Sequence, residues 1–282
     1  MKLPALASLA LLVLVPAAAA QDRLFDNHVH LWKGESSLRD YRAQVKAAGL
    51  DPVSAVMWFG GPNQALQGKV EEVRAQNDAI IALAKADSKL VAVATVHPYD
   101  GEAAIAEVRR VGAAGVRLLK IHAHTQKFDN ADPRVLAVAR AAGEAGVVML
   151  MDNANILPGD NEKLFNLALS APKTRFIFAH MGAMGFRFWN MLKAARTAEG
   201  LFGENIYFDI SATVTLTADS PIEDEFVWTM RNVGIDHILL GSDYPQFSLA
   251  QNVDALGKLG LTPEEVAKIR YGNARKLLGL KD

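Results

Sequence analysis

Two short apolar runs, Val116-Arg-Leu-Leu-Lys-Ile-His122 and Val147-Val-Met-Leu-Met-Asp152, flank a stretch with helical periodicity, Pro133–Ala145. Gly146 stands between this stretch and the second run, at the position where a helix C-cap is expected. Neither run alternates apolar with polar residues, which is typical of parallel strands covered by helices. The segment therefore predicts one strand–helix–strand unit of an α/β fold.

Similar apolar runs recur along the rest of the chain at intervals of roughly 25 to 40 residues. Helical periodicity occurs between them, most clearly at Lys69–Ala86, Glu102–Val111, Pro133–Ala145, Asp160–Ser170 and Ile222–Val233. Eight strand–helix units in about 260 residues predict a single-domain (β/α)8 TIM barrel, which we place at residues 21–282. The predicted strands are Leu24–His30, Val53–Phe59, Leu90–Val96, Val116–His122, Val147–Asp152, Phe176–His180, Ile206–Ile210 and His237–Ser242.

Residues 1–20 have the pattern of a signal peptide. Lys2 supplies a basic start, residues 5–16 are apolar except for Ser8, and four alanines precede Gln21. We expect cleavage after Ala20 and a periplasmic or secreted protein. A retained anchor helix is the alternative, but the run is shorter than the roughly 20 residues that a spanning helix needs. We therefore expect no stable membrane insertion after cleavage.

Composition excludes several classes of function. The chain has 30 Lys and Arg against 31 Asp and Glu and no Lys/Arg-rich run, so a nucleic-acid partner has no electrostatic support. The absence of cysteine excludes disulfides, thiolate metal sites and a Cys nucleophile. No glycine-rich nucleotide-binding motif follows a predicted strand. A small-molecule substrate is the partner we expect, and a homo-oligomer stays open.

Candidate metal ligands stand at the ends of the predicted strands. In a (β/α)8 barrel the active site is built at these C-terminal ends. His28 and His30 close the first strand, and the period of two directs both side chains to the same side. His122, His180 and Asp243 lie at the ends of three later strands. Neutral imidazoles with a carboxylate suit zinc or a similar divalent ion.

Together these motifs resemble the amidohydrolase superfamily. The segments that carry the resemblance are His28-Val-His30, Lys120-Ile-His122, Ala179-His-Met-Gly182, Gly241-Ser-Asp-Tyr-Pro245 and Tyr271-Gly-Asn-Ala-Arg275. They are most similar to the amidohydrolase-related branch, which includes aminocarboxymuconate-semialdehyde decarboxylase and pyrone-dicarboxylate lactonase. The order and combination of the motifs, rather than any one of them, is specific.

The resemblance implies roles for particular residues. His28, His30 and Asp243 match metal ligands, and His180 matches a residue that acts as acid/base or polarises the substrate and is a further candidate ligand. Many relatives have a ligand histidine at the end of the fifth strand, where this chain has Asp152. Asp152 either replaces that ligand or binds substrate in a site without a metal.

Lys120 has two interpretations. It is a candidate substrate-binding cation, and it also matches the carboxylated lysine that bridges two metals in binuclear members of the superfamily. The remaining substrate-binding candidates are His122, Trp32 and Trp58, of which the two tryptophans offer an apolar wall for a ring.

The function implied first is an exported hydrolase that uses a metal-activated water to cleave a small ester, lactone or amide. Asp243 and His180 are its candidate catalytic residues, and the expected cofactor is one divalent ion, zinc, with manganese as the alternative. A metal-dependent non-oxidative decarboxylase of a small carboxylic acid has the same ligand set and is the nearest alternative. A barrel that binds a ligand without turning it over is the alternative from another class.

Overall fold

The computed structural model describes residues 23–61, 64–198 and 203–280. In these ranges eight parallel strands form one sheet in chain order, as a (β/α)8 barrel requires. The predicted fold and the positions of all eight strands are confirmed. The strands are β1 Phe25–His30, β2 Val53–Met57, β3 Leu90–Thr95, β4 Leu118–Ile121, β5 Val148–Met151, β6 Phe176–Phe178, β7 Ile206–Asp209 and β8 Ile238–Leu239.

The barrel closes where β1 meets the segment that follows β8. The backbone N–H of Asn27 donates to the carbonyl of Leu240 at 3.1 Å, and that of His30 donates to the carbonyl of Tyr244 at 2.9 Å. The register of β1 against β2 shifts between Asp26 and Val29. The two segments that carry the predicted ligands His28 and Asp243 are therefore neighbours at the seam.

Helices surround the sheet, and the predicted ones begin and end within two residues of the observed bounds. Pro133–Glu144, for example, begins after Asp132, whose carboxylate accepts from the N–H of Arg134 and caps the helix. The α-helices are Glu35–Ala47, Val70–Ala86, Glu102–Ala113, Ala123–Gln126, Pro133–Glu144, Asp160–Ser170, Met191–Ala195, Thr213–Thr217, Glu223–Val233, Leu249–Lys258, Pro263–Ala267 and Asn273–Leu278. The 3₁₀ or π segments of the described ranges are Pro98–Asp100, Ala179–Asn190, Ile235–His237 and Lys268–Gly272.

Strand alternation divides the apolar residues into two layers. Leu118 and Leu150 belong to the cluster inside the barrel, whereas Leu119 and Met151 belong to the cluster between sheet and helices. The same alternation places Lys120, two residues after Leu118, on the inner side at the end of β4. The barrel therefore holds a lysine in a position where its side chain reaches the mouth.

The predicted signal peptide and its cleavage after Ala20 lie outside the described residues. Among the helices of the described ranges, none combines the length and apolar character needed to cross a membrane.

A buried carboxylate fastens the helices on either side of β3. Glu107 is 2% exposed and accepts hydrogen bonds from Arg110 at 2.7 Å and from Asn77 at 2.8 Å. Asn77 in turn pairs with both backbone groups of Thr95 at the end of β3. Burial alone would raise the pKa of Glu107, but the hydrogen bonds from Arg110 and Asn77 hold it below its ordinary value of 4.5.

We predict that Glu107→Ala lowers the free energy of unfolding by roughly 1 to 3 kcal/mol at pH 7, because it leaves buried donors without an acceptor. The pKa of Glu107 is lower in the folded than in the unfolded state. Its contribution is therefore complete above pH 4.5 and is lost as the pH falls through the folded pKa. Denaturant unfolding should show a smaller difference from wild type at pH 3 than at pH 7.

The matched control is Glu72→Ala, which removes a side chain that is 65% exposed and pairs with Lys69 at the surface. It should change stability by less than about 0.5 kcal/mol. An equal effect of the two substitutions would show that the buried network adds no stability.

Candidate active site

A cavity of about 410 Å³ opens where the strands end. This volume is in the range of small-molecule sites. Of the nine site residues predicted from the sequence, eight line it: His28, His30, Trp32, Lys120, His122, Asp152, His180 and Asp243. Phe59 and Phe247 extend the apolar wall that Trp32 begins. The expectation that the site forms at the C-terminal ends of the strands therefore identified side chains from β1, from β4 and from the segments that follow β4, β5, β6 and β8.

Trp58 is the exception and does not line the cavity. Residues alternate sides along this segment, so Met57 faces the inside of the barrel and Trp58 packs against the outer cluster. The Trp58 ring lies beside Gly34. The apolar wall on this side of the site comes instead from Phe59.

His28, His30 and Asp243 place three potential ligand atoms close together. His28 Nε2 lies 3.1 Å from His30 Nε2, and Asp243 Oδ1 lies 3.5 Å and 3.7 Å from these two nitrogens. Ligand atoms about 3.3 to 3.4 Å apart are expected around a tetrahedral zinc with bonds of about 2.0 to 2.1 Å. The spacing fits one divalent ion.

Hydrogen bonds on the far side of each ring fix which nitrogen faces the cavity with a lone pair. His30 Nδ1 lies 2.7 Å from the carbonyl of Phe59, and His28 Nδ1 lies 3.0 Å from Asp209 Oδ2. Because a carbonyl and an ionised carboxylate only accept, both Nδ1 atoms carry the hydrogen and both Nε2 atoms are acceptors in the neutral rings. Two lone pairs and a carboxylate that face one another form a donor set for a cation.

Burial keeps both imidazoles neutral. It lowers the pKa of His28, with a further contribution from Lys120. It lowers the pKa of His30 well below the ordinary value, and His28 and Lys120 add to this effect. Neutral imidazole is the form that binds metals, so the site does not require a proton to leave before a cation binds.

Lys120 is buried against this group, with Nζ 3.0 Å from His28 Nε2. Burial lowers the pKa of Lys120, while Asp152 and Asp243 oppose that shift. In this arrangement the amine donates to the lone pair that a metal would use. A cation bound by His28 therefore has to displace Lys120 from that nitrogen.

Asp152 pairs with two other histidines that line the cavity, His122 and His180. Its Oδ1 lies 3.4 Å from His122 Nε2 and 3.5 Å from His180 Nε2. Although burial alone would raise the pKa of Asp152, His122 and His180 hold it well below the usual range. Asp152 is absent from the residue groups with metal-like spacing within the described ranges. In this structure it is a carboxylate that pairs with imidazoles.

His180 differs in protonation from the other site histidines. Its Nδ1 lies 3.0 Å from the carbonyl of Ser211, so both ring nitrogens face acceptors. Burial opposes protonation, but Asp152 and Asp243 raise the pKa of His180 to about 9. Burial lowers the pKa of His122 to about 4 against the attraction of Asp152. At neutral pH His180 therefore carries a proton and His122 is neutral.

Asp209, at the end of β7, was missed by the sequence analysis. Besides His28, its carboxylate accepts from the N–H of Ser211 at 2.7 Å. Burial would raise the pKa of Asp209, but His28 holds it well below the usual range. The sequence signal was present, because Asp209 is a polar residue near the end of a predicted strand, as His180 and Asp243 are.

Two glycines allow the backbone to approach the site closely. A Cβ on Gly241 would lie 3.0 Å from His28 Cβ and 3.1 Å from Asp209 Oδ2. A Cβ on Gly60 would lie 2.7 Å from His30 Nδ1, and Gly60 has φ +114°. Larger residues at these positions would displace the imidazoles that form the cation site.

Strained backbone marks the same end of the barrel. His180, Ala212 and Asp243 have φ of +64°, +61° and +59°, in the left-handed region that favours glycine. Each such residue costs about 1 to 3 kcal/mol, and such strain clusters at functional sites. The two predicted catalytic residues are both among them.

The remaining histidines have other surroundings. His237 precedes β8 and bonds the carbonyl of Ile206 at 2.8 Å, at the opposite end of the barrel. His97 is buried and bonds the carbonyl of Gln126 at 2.8 Å. His124 lines the cavity.

Comparison with known proteins confirms the family. The chain matches a family model described as Amidohydrolase over residues 25–280. It therefore belongs to the amidohydrolase family and is an enzyme of that superfamily. A comparison with curated proteins finds no match.

Solved structures with the same fold include several decarboxylases. The 5-carboxyvanillate decarboxylase of Sphingomonas paucimobilis is 16% identical, with a TM-score of 0.70, over 92% of this chain and 100% of that one. The 2,6-dihydroxybenzoate decarboxylase of Rhizobium is 17% identical, with a TM-score of 0.69, over 92% and 99%. The 5-carboxyvanillate decarboxylase of Novosphingobium aromaticivorans, complexed with manganese and 4-hydroxy-3-methoxy-5-nitrobenzoic acid, is 17% identical, with a TM-score of 0.68, over 92% and 97%. At this identity the likeness establishes the fold.

We predict that elemental analysis of the purified mature protein finds about one equivalent of zinc or manganese, because three ligand atoms suit one ion. The His28→Ala/His30→Ala variant should lose it, since two of the three ligands are removed. His237→Ala removes a histidine at the other end of the barrel and should retain it. Two equivalents would indicate a binuclear site with a carboxylated Lys120. No metal after reconstitution would contradict the assignment of the ligands.

We also predict that Asp209→Asn weakens metal binding by about 10- to 100-fold, because an uncharged amide is a weaker acceptor than the carboxylate for the Nδ1 proton of His28 and lowers the basicity of that ring. The dissociation constant can be measured by competition with a chromophoric chelator. Asp219→Asn is the control, since it makes the same exchange at a surface carboxylate paired with Lys258. Equal affinity in the two variants would mean that the Asp209 hydrogen bond has no effect on the ligand.

Proposed function

We propose that the protein is a metal-dependent non-oxidative decarboxylase of a small aromatic carboxylic acid. The observation that carries this proposal is the presence of two kinds of histidine around one cavity. His28 and His30 present lone pairs to a cation, whereas His180 holds a proton. Loss of CO₂ uses a proton donor for the carbon that loses the carboxyl group and needs no base to activate water, and a cation would serve it by holding the substrate. The structural neighbours support this alternative over the hydrolase that the sequence favoured first.

The residues divide the work as follows. His28, His30 and Asp243 would hold a divalent cation, which would supply positive charge for the substrate's oxygen atoms. The Trp32 and Phe59 rings form an apolar wall of the cavity of about 410 Å³, which suits one substituted ring.

Proton transfer completes the reaction. The bond between the ring carbon and the carboxyl carbon breaks, its electron pair stays on the ring carbon, and that carbon takes a proton as CO₂ leaves. We assign the proton to His180, whose Nε2 faces Asp152 in the cavity. Asp152 keeps this imidazole protonated between turnovers.

Hydrolysis of a small ester, lactone or amide is the second candidate. The family match favours it, and Asp243 is a carboxylate that can accept a proton from water beside the cation site. In this version His180 protonates the leaving group. A barrel that binds without catalysis is the remaining alternative.

The cofactor we propose is one divalent ion, zinc or manganese. Two imidazoles and one carboxylate suit either ion. The manganese in the Novosphingobium neighbour supports manganese, and the near-tetrahedral spacing of the ligand atoms supports zinc. We further propose, from the sequence of residues 1–20, that the mature protein acts in the periplasm or outside the cell.

The test is to supply the zinc- and manganese-loaded protein with monocyclic hydroxybenzoates, including 2,6-dihydroxybenzoate and 5-carboxyvanillate, and with simple lactones, esters and amides. We expect release of CO₂, and in D₂O a product with one deuterium at the carbon that lost the carboxyl group. His180→Gln should lower kcat by about 100- to 10,000-fold without loss of metal, because the general acid is removed.

His237→Gln is the matched control and should retain activity. Cleavage of a lactone, ester or amide without CO₂ would establish the hydrolase instead. Metal binding without turnover of any of these compounds would favour the ligand-binding barrel.

A further inference from the structure

Asp26 is a buried carboxylate outside the proposed ligand set. It lies on β1, two residues before His28, its side chain bonds Tyr41 of the helix Glu35–Ala47, and it is 0% exposed. One of its oxygens, Oδ1, accepts from the backbone N–H of His28 at 3.1 Å and from that of Ser242 at 2.8 Å. The other, Oδ2, accepts from the hydroxyl of Tyr41 at 2.8 Å.

These contacts connect the two segments that carry ligands. Ser242 directly precedes Asp243, so a single oxygen of Asp26 binds the backbone of one ligand and of the neighbour of another. Ser242 Oγ donates to the carbonyl of His28 at 3.1 Å, which adds a second link between the same segments. The distance between His28 and Asp243 therefore depends on this junction.

The two segments meet in a bridge between Val29 and Tyr244, but no regular strand pairing of the described residues includes Asp243. The register of β1 shifts between Asp26 and Val29, and β8 ends at Leu239, before Asp243. Asp243 itself has φ +59°. Backbone of this kind needs partners other than a strand ladder, and Asp26 supplies two of them.

Tyr41 anchors the carboxylate from the helix side. Its hydroxyl also lies 2.9 Å from Ser54 Oγ on β2, and its ring packs edge-on against Tyr244 with centroids 5.2 Å apart. Tyr244 follows Asp243 in the chain. Asp26 and Tyr41 thus contact the residues on both sides of Asp243, the backbone of Ser242 and the ring of Tyr244.

We propose that Asp26 is a positioning residue that sets the metal affinity of the site by holding His28 and Asp243 at their mutual distance. This inference rests on the cation site of the proposed function. It concerns affinity, so it does not depend on which reaction the enzyme catalyses.

The experiment measures the Zn²⁺ and Mn²⁺ dissociation constants of Asp26→Ala and Asp26→Asn by competition with a chromophoric chelator. Asp26→Ala should bind metal about 10- to 100-fold more weakly than wild type, as expected for loss of a group that orients ligands. Asp26→Asn should restore affinity to within about threefold, because its amide oxygen can still accept from both backbone N–H groups.

Glu107→Ala is the control for a general loss of stability, since Glu107 is also a buried carboxylate that joins two elements but lies away from the ligands. It should lower the midpoint of denaturant unfolding and leave metal affinity unchanged. A purely structural role of Asp26 would give Asp26→Ala the same result, and that result would overturn the proposal. Equal losses in Asp26→Ala and Asp26→Asn would also overturn it, because charge rather than backbone hydrogen bonding would then be responsible.

Tyr41→Phe decides the matter if Asp26→Ala does not fold. It removes the hydroxyl that holds Oδ2 and keeps the ring, and we expect about threefold weaker metal binding. Unchanged affinity in Tyr41→Phe would overturn the proposal. A wild-type protein that binds metal but releases no CO₂ would refute the decarboxylase and leave this inference intact, whereas a wild-type protein that binds no metal would refute both.

Discussion

The hydrogen bond between His28 and Asp209 determines how the whole site is organised. It holds the imidazole proton on Nδ1, 3.0 Å from a buried carboxylate, and so turns the Nε2 lone pair toward the cavity. Three polar atoms surround this lone pair. His30 Nε2 lies 3.1 Å, Lys120 Nζ 3.0 Å and Asp243 Oδ1 3.5 Å from His28 Nε2. The carbonyl of Phe59 likewise holds the hydrogen of His30 on Nδ1 and leaves the lone pair on Nε2. The cation site is thus a property of the groups behind the ligands as much as of the ligands.

A site of this kind is costly to fold, because it concentrates buried polar groups and strained backbone at one end of the barrel. The left-handed residues His180, Ala212 and Asp243 stand where strands give way to loops. The two apolar layers of the sheet and the connections around Glu107 lie elsewhere and supply the stability that this end lacks. This division is the usual one for an enzyme barrel, in which the body stabilises and the strand ends carry the chemistry.

The histidines of this one cavity take three forms: neutral with the hydrogen on Nδ1, neutral with the hydrogen on Nε2, and protonated on both nitrogens. Burial leaves His28 and His30 neutral, the neighbouring Asp152 and Asp243 keep His180 protonated, and His122 stays neutral although it faces the same Asp152. The difference lies in the neighbouring charges, because Asp243 and Asp209 also raise the pKa of His180, whereas Lys120 and His180 lower that of His122. The second nitrogen differs as well. His180 Nδ1 meets the carbonyl of Ser211, whereas His122 Nδ1 faces the N–H of Thr125 and must accept. Whether a histidine is a proton donor, as His180 is, or a metal ligand, as His28 is, therefore depends on hydrogen-bond partners that are distant in the chain.

The sequence by itself determined the barrel and the end at which its site lies. Apolar runs predict strands because a strand buried on both faces must be apolar throughout, and polar residues such as His28, His180 and Asp243 mark the ends of the strands. The direction in which a side chain points and the residue that it contacts depended on tertiary structure. Trp58 faces outward because the alternation continues past β2, and Lys120 meets His28 because β4 and β1 lie across the barrel from each other. Asp209 had the same strand-end signal as the predicted ligands, but its role became visible only with its distance to His28. Such distances join residues far apart in the chain, and they are set by the closure of the barrel and the loops at its mouth, which local sequence patterns do not encode.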